Sequence, residues 1–390
     1  MDLYMTEKLF YQDIRMTCFK STVIECRQDT KTGLYRILLE ATAFFPEEGG
    51  QTPDKGTLNG LEVKDVQIEG DLIYHYLKQP LEPGIAVSGH VDWTQRFDFM
   101  QQHSGEHIIS GLVHSRYGLR NVGFHLSVNE VTLDFDGPLT MEELRGIEKE
   151  ANEAIYADLP ILITYPTAEE LAELEYRSKI EIQGQVRIVT IPGYDVCACC
   201  APHVETTGQI GMVKITNVQS HRGGVRVNIL CGSRSLQDYS QKQDSVSAVS
   251  VSLSAKPELI DKAILRLKEE NQKQQERLNA LQARYLELAL TTLPAPEVSP
   301  HAILFVSATD TIAIRNAVNV LIEKYPGYCG IFAGEEATGY QFILGSKNKD
   351  CRELATLLRS ELGAKCGGSA PMIQGSINGS PDAIREFIYR

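Results

Sequence analysis

The sequence predicts an α+β protein built from several domains. Residues 1–91 alternate short strand patterns with turn signals, and residues 92–240 mix strand and helix periods. A heptad pattern over residues 254–293 then precedes a compact run of strands and helices over residues 300–390. With 390 residues and 43% hydrophobic content, the chain can bury more than one core.

Residues 1–91 are predicted to form a small β-barrel, with a sandwich as the alternative. Short segments rich in β-forming residues are separated by Asn59-Gly60, Glu69-Gly70 and Pro83-Gly84. Such dipeptides are typical of tight turns between strands.

Residues 92–240 are predicted to form an α+β domain. A helix is expected from about Arg96, because apolar residues from Phe99 to Val113 recur at helical spacing. A second helix is expected from Met141 to about Ala157, among strands near Leu162, Val186 and Val213. The serine-rich run SVSAVSVSLSAKP that follows is interpreted as a join to the next segment.

The segment 254–293 is predicted to be a long helix with a coiled-coil seam. Its seam positions alternate spacings of four and three: Ile260, Ile264, Leu267, Asn271, Gln274, Leu278, Leu281, Tyr285 and Leu288. The seam would face a helix of another chain, as in a homodimer, or a helix elsewhere in this chain. The alternative is one amphipathic helix lying on the domain behind it. After the proline-rich PAPEVSP linker, residues 300–390 are predicted to form an α/β domain.

The charge of the chain does not favour a nucleic-acid partner. The net charge is -13, whereas phosphate binding usually requires a basic surface. From Lys256 onward, acidic and basic residues balance, so the acidic excess lies before this residue. No signal-peptide core and no long apolar run is found, so we expect a cytoplasmic protein with no membrane partner.

Two histidine- and cysteine-containing motifs predict a metal site. His103 and His107 lie four residues apart on a predicted helix, so both imidazoles project from one face. Cys199 and His203 repeat this spacing within YDVCACCAPHVE. Thiolate and imidazole ligands together suit Zn²⁺, one ion per chain. The spacing leaves open whether Cys197, Cys199 or Cys200 is the thiolate ligand.

Several motifs together resemble the alanyl-tRNA editing proteins, which are related to the editing domain of alanyl-tRNA synthetase. The motifs are FFPEEGGQTPDKG, HSGEH, CCAPHVETTGQIG, RGGVRVNILCGSRSL and GAKCGGSAPMIQGS, in the order of the family's long form. The last is similar to the DHH-associated domain, although Cys366 and Ala370 depart from the family's more polar glycine run.

The resemblance implies an aminoacyl-tRNA deacylase that hydrolyses serine, or glycine, from mischarged alanine tRNA in trans. It implies zinc ligands His103, His107, Cys199 and His203, a tRNA partner and, by family association, ATP binding. A pocket for alanine rejects serine poorly, so errors must be removed afterwards. Thr42 is the candidate for recognising the serine hydroxyl. Further candidates are Gly49, Gly50 and Gln51 for substrate, Gln51 and Glu106 for catalysis, and Gly367 and Gly368 for RNA.

Three other functions remain open from the sequence, one of which is the same chemistry at a site specific for another amino acid, as in editing of threonyl-tRNA. The run His103-Ser104-Gly105-Glu106-His107 also fits the His-x-x-Glu-His pattern of zinc peptidases, with Glu106 as the base. A non-catalytic tRNA-binding protein, in which zinc only stabilises the middle domain, is another alternative. On a helix Glu106 points away from its neighbour's ligand, which predicts a solvated or supporting role. Zinc that activates water and zinc that only positions the substrate also remain alternatives.

Overall fold

The computed structural model describes residues 5–178, 184–307 and 310–390. Contacts divide the chain into two compact units, the first ending at Val246 and the second beginning at Ser247. Strands and helices occur in both units, which confirms the predicted mixed α and β class. The finer division into four segments stays a prediction. Among the described residues, no helix has both the length and the apolar composition needed to cross a bilayer.

The first part of unit one is a closed six-stranded barrel. Its strands pair in the order β2-β3-β7-β6-β5-β8. Their bounds are β2 Cys18–Gln28, β3 Tyr35–Leu39, β5 Gly56–Leu58, β6 Leu61–Glu69, β7 Leu72–Leu77 and β8 Ala86–Val91. The short β1 (Glu7–Lys8) pairs in parallel with β4 (Ala41–Thr42). Asn59 and Gly60 both have positive φ at the β5–β6 turn, which is the geometry of a tight hairpin.

Helix α1 (Trp93–Tyr117) is the central element of unit one. Asp92 caps its first turn through Thr94 N and Gln95 N, and Gly118 ends it with φ 67°. Every residue from Phe99 to Val113 is buried, because α1 lies against helix α2 (Met141–Tyr156) and against strands of two sheets. A capping box between Thr140 and Glu143 begins α2.

Two antiparallel sheets contribute to the core around α1. One has the order β14-β15-β10-β9 and the other has the order β11-β12-β13. Their bounds are β9 Asn121–Leu126, β10 Val131–Phe135, β11 Leu162–Thr164, β12 Ile188–Ile191, β13 Asp195–Ala198, β14 Val213–His221 and β15 Gly224–Cys231. The short helix α3 (Ala168–Glu173) follows β11.

Two glycines of α1 allow these strands to approach the helix closely. A Cβ at Gly105 would lie 2.4 Å from Cys231 Sγ, and one at Gly111 would lie 2.2 Å from the carbonyl oxygen of Tyr194. Glycine in a helix interior costs about 1 kcal/mol relative to alanine. The close packing of β13 and β15 offsets this cost.

The boundary between the two units, Val246 to Ser247, lies within the serine-rich run that was interpreted as a join. The run is largely helical, because helix α4 (Gly232–Leu253) extends through most of it. Serine hydroxyls of α4 bond the carbonyl four residues earlier, from Ser240 to Leu236 and from Ser252 to Ala248. This bonding satisfies the hydroxyl within the helix and makes serine compatible with it.

Unit two contains the long helix α5 (Ile260–Leu290) and a five-stranded sheet of order β16-β17-β18-β20-β19. The strands are β16 Ala302–Val306, β17 Cys329–Glu335, β18 Gly339–Gly345, β19 Lys365–Ser369 and β20 Met372–Ile377. The helices are α6 Thr311–Lys324, α7 Cys351–Leu362 and α8 Pro381–Tyr389. One core packs α6 and the end of α5 on the sheet, and a second core packs α7 and α8. Gly367 and Gly368 lie on the edge strand β19 and are exposed.

Candidate metal centre

Helix α1 and the segment after β13 bring four potential metal ligands together. His103, His107, Cys199 and His203 each offer one ligand atom, and these atoms all lie within 4.8 Å of one another. The three histidines are buried and Cys199 is half-buried. Cys197 belongs to a separate group with His107 and Asp195. Cys199 is therefore the cysteine that joins the four-residue set.

The spacing of the donor atoms fits a tetrahedral zinc ion. Cys199 Sγ lies 3.5 Å from His103 Nε2 and 3.4 Å from His203 Nε2. With Zn–S bonds of about 2.3 Å and Zn–N bonds of about 2.0–2.1 Å, the S and N vertices of a tetrahedron are separated by about 3.5 Å. The residues present therefore suit zinc in both chemistry and distance.

Each histidine uses its Nδ1 atom for a hydrogen bond to the protein. His107 Nδ1 lies 2.8 Å from Asp195 Oδ2, and His103 Nδ1 lies 3.0 Å from Gln51 Oε1. The third contact joins His203 Nδ1 to Ser104 Oγ at 3.1 Å. Such bonds fix the ring orientation and leave Nε2 to face a metal.

Asp195 also binds a half-buried arginine, Arg177. Arg177 donates from Nε to Asp195 Oδ1 at 2.7 Å and from a terminal nitrogen to Oδ2 at 2.8 Å. Burial opposes ionisation of Asp195, but His107 and Arg177 outweigh it and lower the pKa of this carboxyl group. Sequence reasoning missed both Asp195 and Arg177. The signal that could have identified Asp195 was its place in the sequence: it is an acidic residue at the start of β13, the strand that leads to Cys199.

The charges around Cys199 favour its thiolate. Burial opposes ionisation, but His103 and His203 outweigh it, so the pKa of Cys199 lies well below its usual range. In contrast, burial raises the pKa of Cys197 to about 11. Thiolate is the form of cysteine that binds metals.

Glu106 is buried, which excludes the solvated role and leaves the supporting role of the two that were expected. Ser110 Oγ donates to Glu106 Oε1 at 2.7 Å, and Asn121 Nδ2 donates to the same oxygen at 2.6 Å. Glu106 Oε2 lies 3.7 Å from His107 Nε2. Helix geometry alone did not predict this position, because Asn121 belongs to β9, beyond the end of α1.

A buried ion pair anchors the glycine-containing loop to α1. Asp54 accepts hydrogen bonds from Arg96 Nε at 3.0 and 2.9 Å, and from the amide of Phe45 at 2.6 Å. The loop also pairs with β9, where Gly50 O accepts from Leu126 N at 2.8 Å. These contacts place the buried Gln51 against His103. Arg96 and Asp54 were not identified from the sequence.

The other predicted substrate residues lie in different surroundings. Gly49 and Gly50 have φ of 63° and 82°, and a Cβ at Gly49 would lie 3.3 Å from Cys200 Sγ. Thr42 is buried in the barrel part, with its hydroxyl 2.8 Å from His75 Nε2. No contact between Thr42 and the four ligands is observed among the described residues, so its role stays a prediction.

Comparisons with known proteins show which family the chain resembles. Residues 186–227 match the family model described as threonyl and alanyl tRNA synthetase second additional domain. The alanine–tRNA ligase of Pyrobaculum neutrophilum is 30% identical over 100% of this chain and 44% of its own length. The alanyl-tRNA editing protein Aarsd1 of Rattus norvegicus is 26% identical over 92% of this chain and 90% of its own length.

The chain belongs to the alanyl-tRNA editing family.

This family member is much shorter than several of its relatives. It spans 44% of the Pyrobaculum ligase and 30% of the alanine–tRNA ligase of Ignicoccus hospitalis, which is 32% identical over 68% of this chain. The matched family model includes Cys199 and His203 but not the two histidines of α1. The other two candidate ligands, His103 and His107, therefore lie on a helix outside the region that the model matches.

Proposed function

We propose that the chain is an aminoacyl-tRNA deacylase that hydrolyses serine, and glycine, from mischarged alanine tRNA in trans. The observation that carries the proposal is the tetrahedral spacing of His103, His107, Cys199 and His203. These four residues would hold one Zn²⁺. When bound, zinc would supply a Lewis acid that polarises the ester carbonyl group.

The side chains around the ligands support ester hydrolysis. Gln51 Oε1 is committed to His103, so its amide N–H groups are left to donate to the ester or to the terminal ribose. Glu106 Oε2 is an acceptor that would orient a water by a hydrogen bond. Four protein ligands fill a tetrahedral shell, so we place the attacking water on Glu106. Gly49 and Gly50 would let backbone amides approach the substrate closely.

Deacylation assays test this proposal. Purified protein is incubated with seryl-, glycyl- and alanyl-charged alanine tRNA, and zinc content is measured in parallel. We expect loss of the seryl ester, sparing of alanine, and no activity or zinc in His103→Ala. His114→Ala, which changes an exposed histidine on the same helix, is the matched control. No deacylation by a zinc-loaded wild-type protein contradicts the proposal.

We further propose that the edge strand β19 contributes to tRNA binding. Gly367 and Gly368 are exposed there, and a Cβ at Gly367 would meet no atom within 4 Å. Gly367→Glu therefore adds a negative charge without a local clash. Weaker tRNA binding, with deacylation of a short acceptor-stem substrate retained, is the expected result. Unchanged tRNA affinity removes this assignment. ATP binding stays a prediction without assigned residues.

The two alternatives make different predictions. A zinc-stapled tRNA-binding protein would bind tRNA in both wild type and His103→Ala, and would hydrolyse no ester. A peptidase would cleave casein, but Cys199 and His203 take the places that its carboxylate ligand and substrate would need. The geometry thus supports the deacylase better than the peptidase.

A further inference from the structure

The segment from Cys199 to His203 carries two of the four candidate ligands, and it is neither helix nor strand. Helices and strands pair their carbonyl groups in regular ladders, whereas an irregular segment lacks this pairing. A buried carbonyl group without a hydrogen-bond partner is costly. The carbonyl groups of this segment therefore need partners from elsewhere in unit one.

Arg187, directly before β12, binds the main chain on both sides of Cys199. The carbonyl oxygen of Arg187 accepts a hydrogen bond from the amide of Cys199 at 3.1 Å. In the other direction, Arg187 Nη1 donates to the carbonyl oxygen of Cys199 at 2.8 Å and to that of Ala201 at 3.0 Å. One residue thus fixes both peptide groups of Cys199, and with them the direction in which its side chain leaves the backbone.

The packing of the core does not by itself account for an arginine at this position. Arg187 is only 8% exposed. Within the part of the chain that the structure describes, no carboxylate forms an ion pair with it, and its buried Nε has no hydrogen-bond partner. A buried charge and an unsatisfied donor both cost stability. The bonds from Nη1 to the two carbonyl groups are therefore the feature that distinguishes arginine from an apolar residue here.

Tyr11, in the barrel part of unit one, binds the carbonyl group between these two. Its hydroxyl donates to the carbonyl oxygen of Cys200 at 2.8 Å. The guanidinium carbon of Arg187 lies 5.1 Å from the centre of the Tyr11 ring, which is within the range of a cation–π contact. Two side chains that contact each other therefore bind three consecutive carbonyl groups, those of residues 199–201.

We propose that Arg187 and Tyr11 are positioning residues that hold Cys199 and His203 in the geometry that zinc requires. This proposal rests on the zinc site of the proposed function and extends it to two residues that are not candidate ligands. Both act through the main chain of the ligand segment, and neither would contact the metal.

The peptide groups between the two ligands show why this support matters. Cys199 Sγ and His203 Nε2 lie 3.4 Å apart. Four peptide groups separate the two residues, and Arg187 and Tyr11 bind the carbonyl oxygens of the first three. The fourth follows Pro202, whose ring holds φ at about −65°. The segment is thus ordered by the protein itself, and preorganisation of this kind increases affinity for a ligand.

The zinc affinity of the full chain and of three variants tests the proposal, by competition with a chromogenic chelator. Arg187→Met removes the donors and should weaken zinc binding about 10–100-fold, as loss of groups that orient metal ligands typically does. Arg187→Lys should recover part of this loss, because its ammonium group can still donate to a carbonyl oxygen. Tyr11→Phe removes one hydroxyl only and should weaken zinc binding about tenfold.

The absorption spectrum of Co²⁺, bound in place of zinc, gives a second readout. The bands of Co²⁺ depend on its coordination geometry and on its bond to a thiolate. We expect altered bands in Arg187→Met and in Tyr11→Phe, because the ligand segment is no longer held in one conformation. A role in general stability alone would leave the spectrum of the bound metal unchanged. Tyr11→Phe decides the matter if Arg187→Met fails to fold.

Two matched variants control for a general loss of stability. Arg234→Met removes a half-buried arginine that pairs with Asp98 and also has an unpartnered nitrogen among the described residues. Tyr325→Phe removes a hydroxyl that donates to the carbonyl oxygen of Pro294 at 2.8 Å. Both should leave the zinc affinity unchanged.

Different outcomes contradict this proposal and the deacylase function. Wild-type zinc affinity and Co²⁺ spectra in both Arg187→Met and Tyr11→Phe overturn the positioning role. Equal losses of zinc affinity in Arg234→Met and Tyr325→Phe overturn it too, because zinc affinity would then follow stability alone. A wild type that binds zinc but hydrolyses no ester contradicts only the deacylase function. A wild type that binds no zinc overturns both.

Discussion

Asp195 accepts a hydrogen bond from His107 through Oδ2, at 2.8 Å from Nδ1, and the same carboxylate pairs with the half-buried Arg177. One acidic side chain thus orients a candidate metal ligand and is itself held in place. The close approach of β13 to α1 at Gly111 makes this contact possible.

Asp195→Asn should weaken zinc binding about 10–100-fold, because loss of a carboxylate behind a ligating histidine typically has this effect. Competition with a chromogenic chelator measures the affinity. Asp136→Asn, at an exposed ion pair with Arg120, is the control. An unchanged zinc affinity would show that His107 does not depend on Asp195 for its orientation.

Gly50→Ala should destabilise unit one more than Gly33→Ala does. Both glycines have positive φ, so alanine costs about 1–2 kcal/mol at either position. Only at Gly50 would the added Cβ also clash, at 2.3 Å from the carbonyl oxygen of Phe124, whereas Gly33 has open space. We expect a further cost of about 1–3 kcal/mol from this overlap. Urea unfolding of the two variants gives the difference, and equal losses would contradict the explanation.

Asp54→Asn should destabilise the fold by about 3–5 kcal/mol, because it leaves the guanidinium of Arg96 buried without its counter-charge. The side chains of this pair are 1% and 0% exposed. At the surface pair of Arg116 and Glu150, Glu150→Gln should cost at most about 1 kcal/mol. Denaturant midpoints followed by far-UV circular dichroism compare the two. A similar small loss in both would mean that burial does not strengthen the Asp54 contact.

Acid should destabilise the barrel through His75. Burial lowers the pKa of His75 to about 4, against an ordinary value of 6.5. Between these values the unfolded chain binds more protons than the folded chain, so stability rises with pH. The stabilisation that comes from keeping His75 neutral is fully present above about pH 6.5. It is lost as pH falls toward 4, and the free energy of unfolding then decreases by about 3 kcal/mol in total. In His75→Gln, unfolding free energies at pH 7 and pH 4.5 should differ less than in wild type. Equal differences in both proteins would show that protonation of His75 does not cause the loss of stability in acid.

The sequence predicted the candidate ligands better than the residues that form hydrogen bonds around them. Helical spacing predicted that His103 and His107 share one face of α1. Spacing did not select Cys199 from Cys197 and Cys200, because the segment from Cys199 to His203 is not a helix. Asp195 and Asn121 could not be predicted, since their contacts arise from strands that pack on α1 over long sequence distances.

Some helices were likewise easier to predict from the sequence than others. Periodicity predicted α1, α2 and α5, which are long and regular. The serine-rich part of α4 was missed, because serine has a weak helix propensity and its bonds to earlier carbonyls are not visible in the sequence. Burial of Glu106 was missed because one of its partners, Asn121, lies on β9 and not on α1.

The separation of the two ligand pairs affects when the metal site can form during synthesis. His103 and His107 leave the ribosome well before Cys199 and His203, which are about 90 residues further along the chain. A nascent chain that lacks the second pair has only two imidazoles, too few to enclose a zinc ion. If this ligand set binds zinc as proposed, uptake through all four ligands has to wait until His203 has emerged. Zinc then cannot stabilise the unit through this full ligand set at any earlier stage of synthesis.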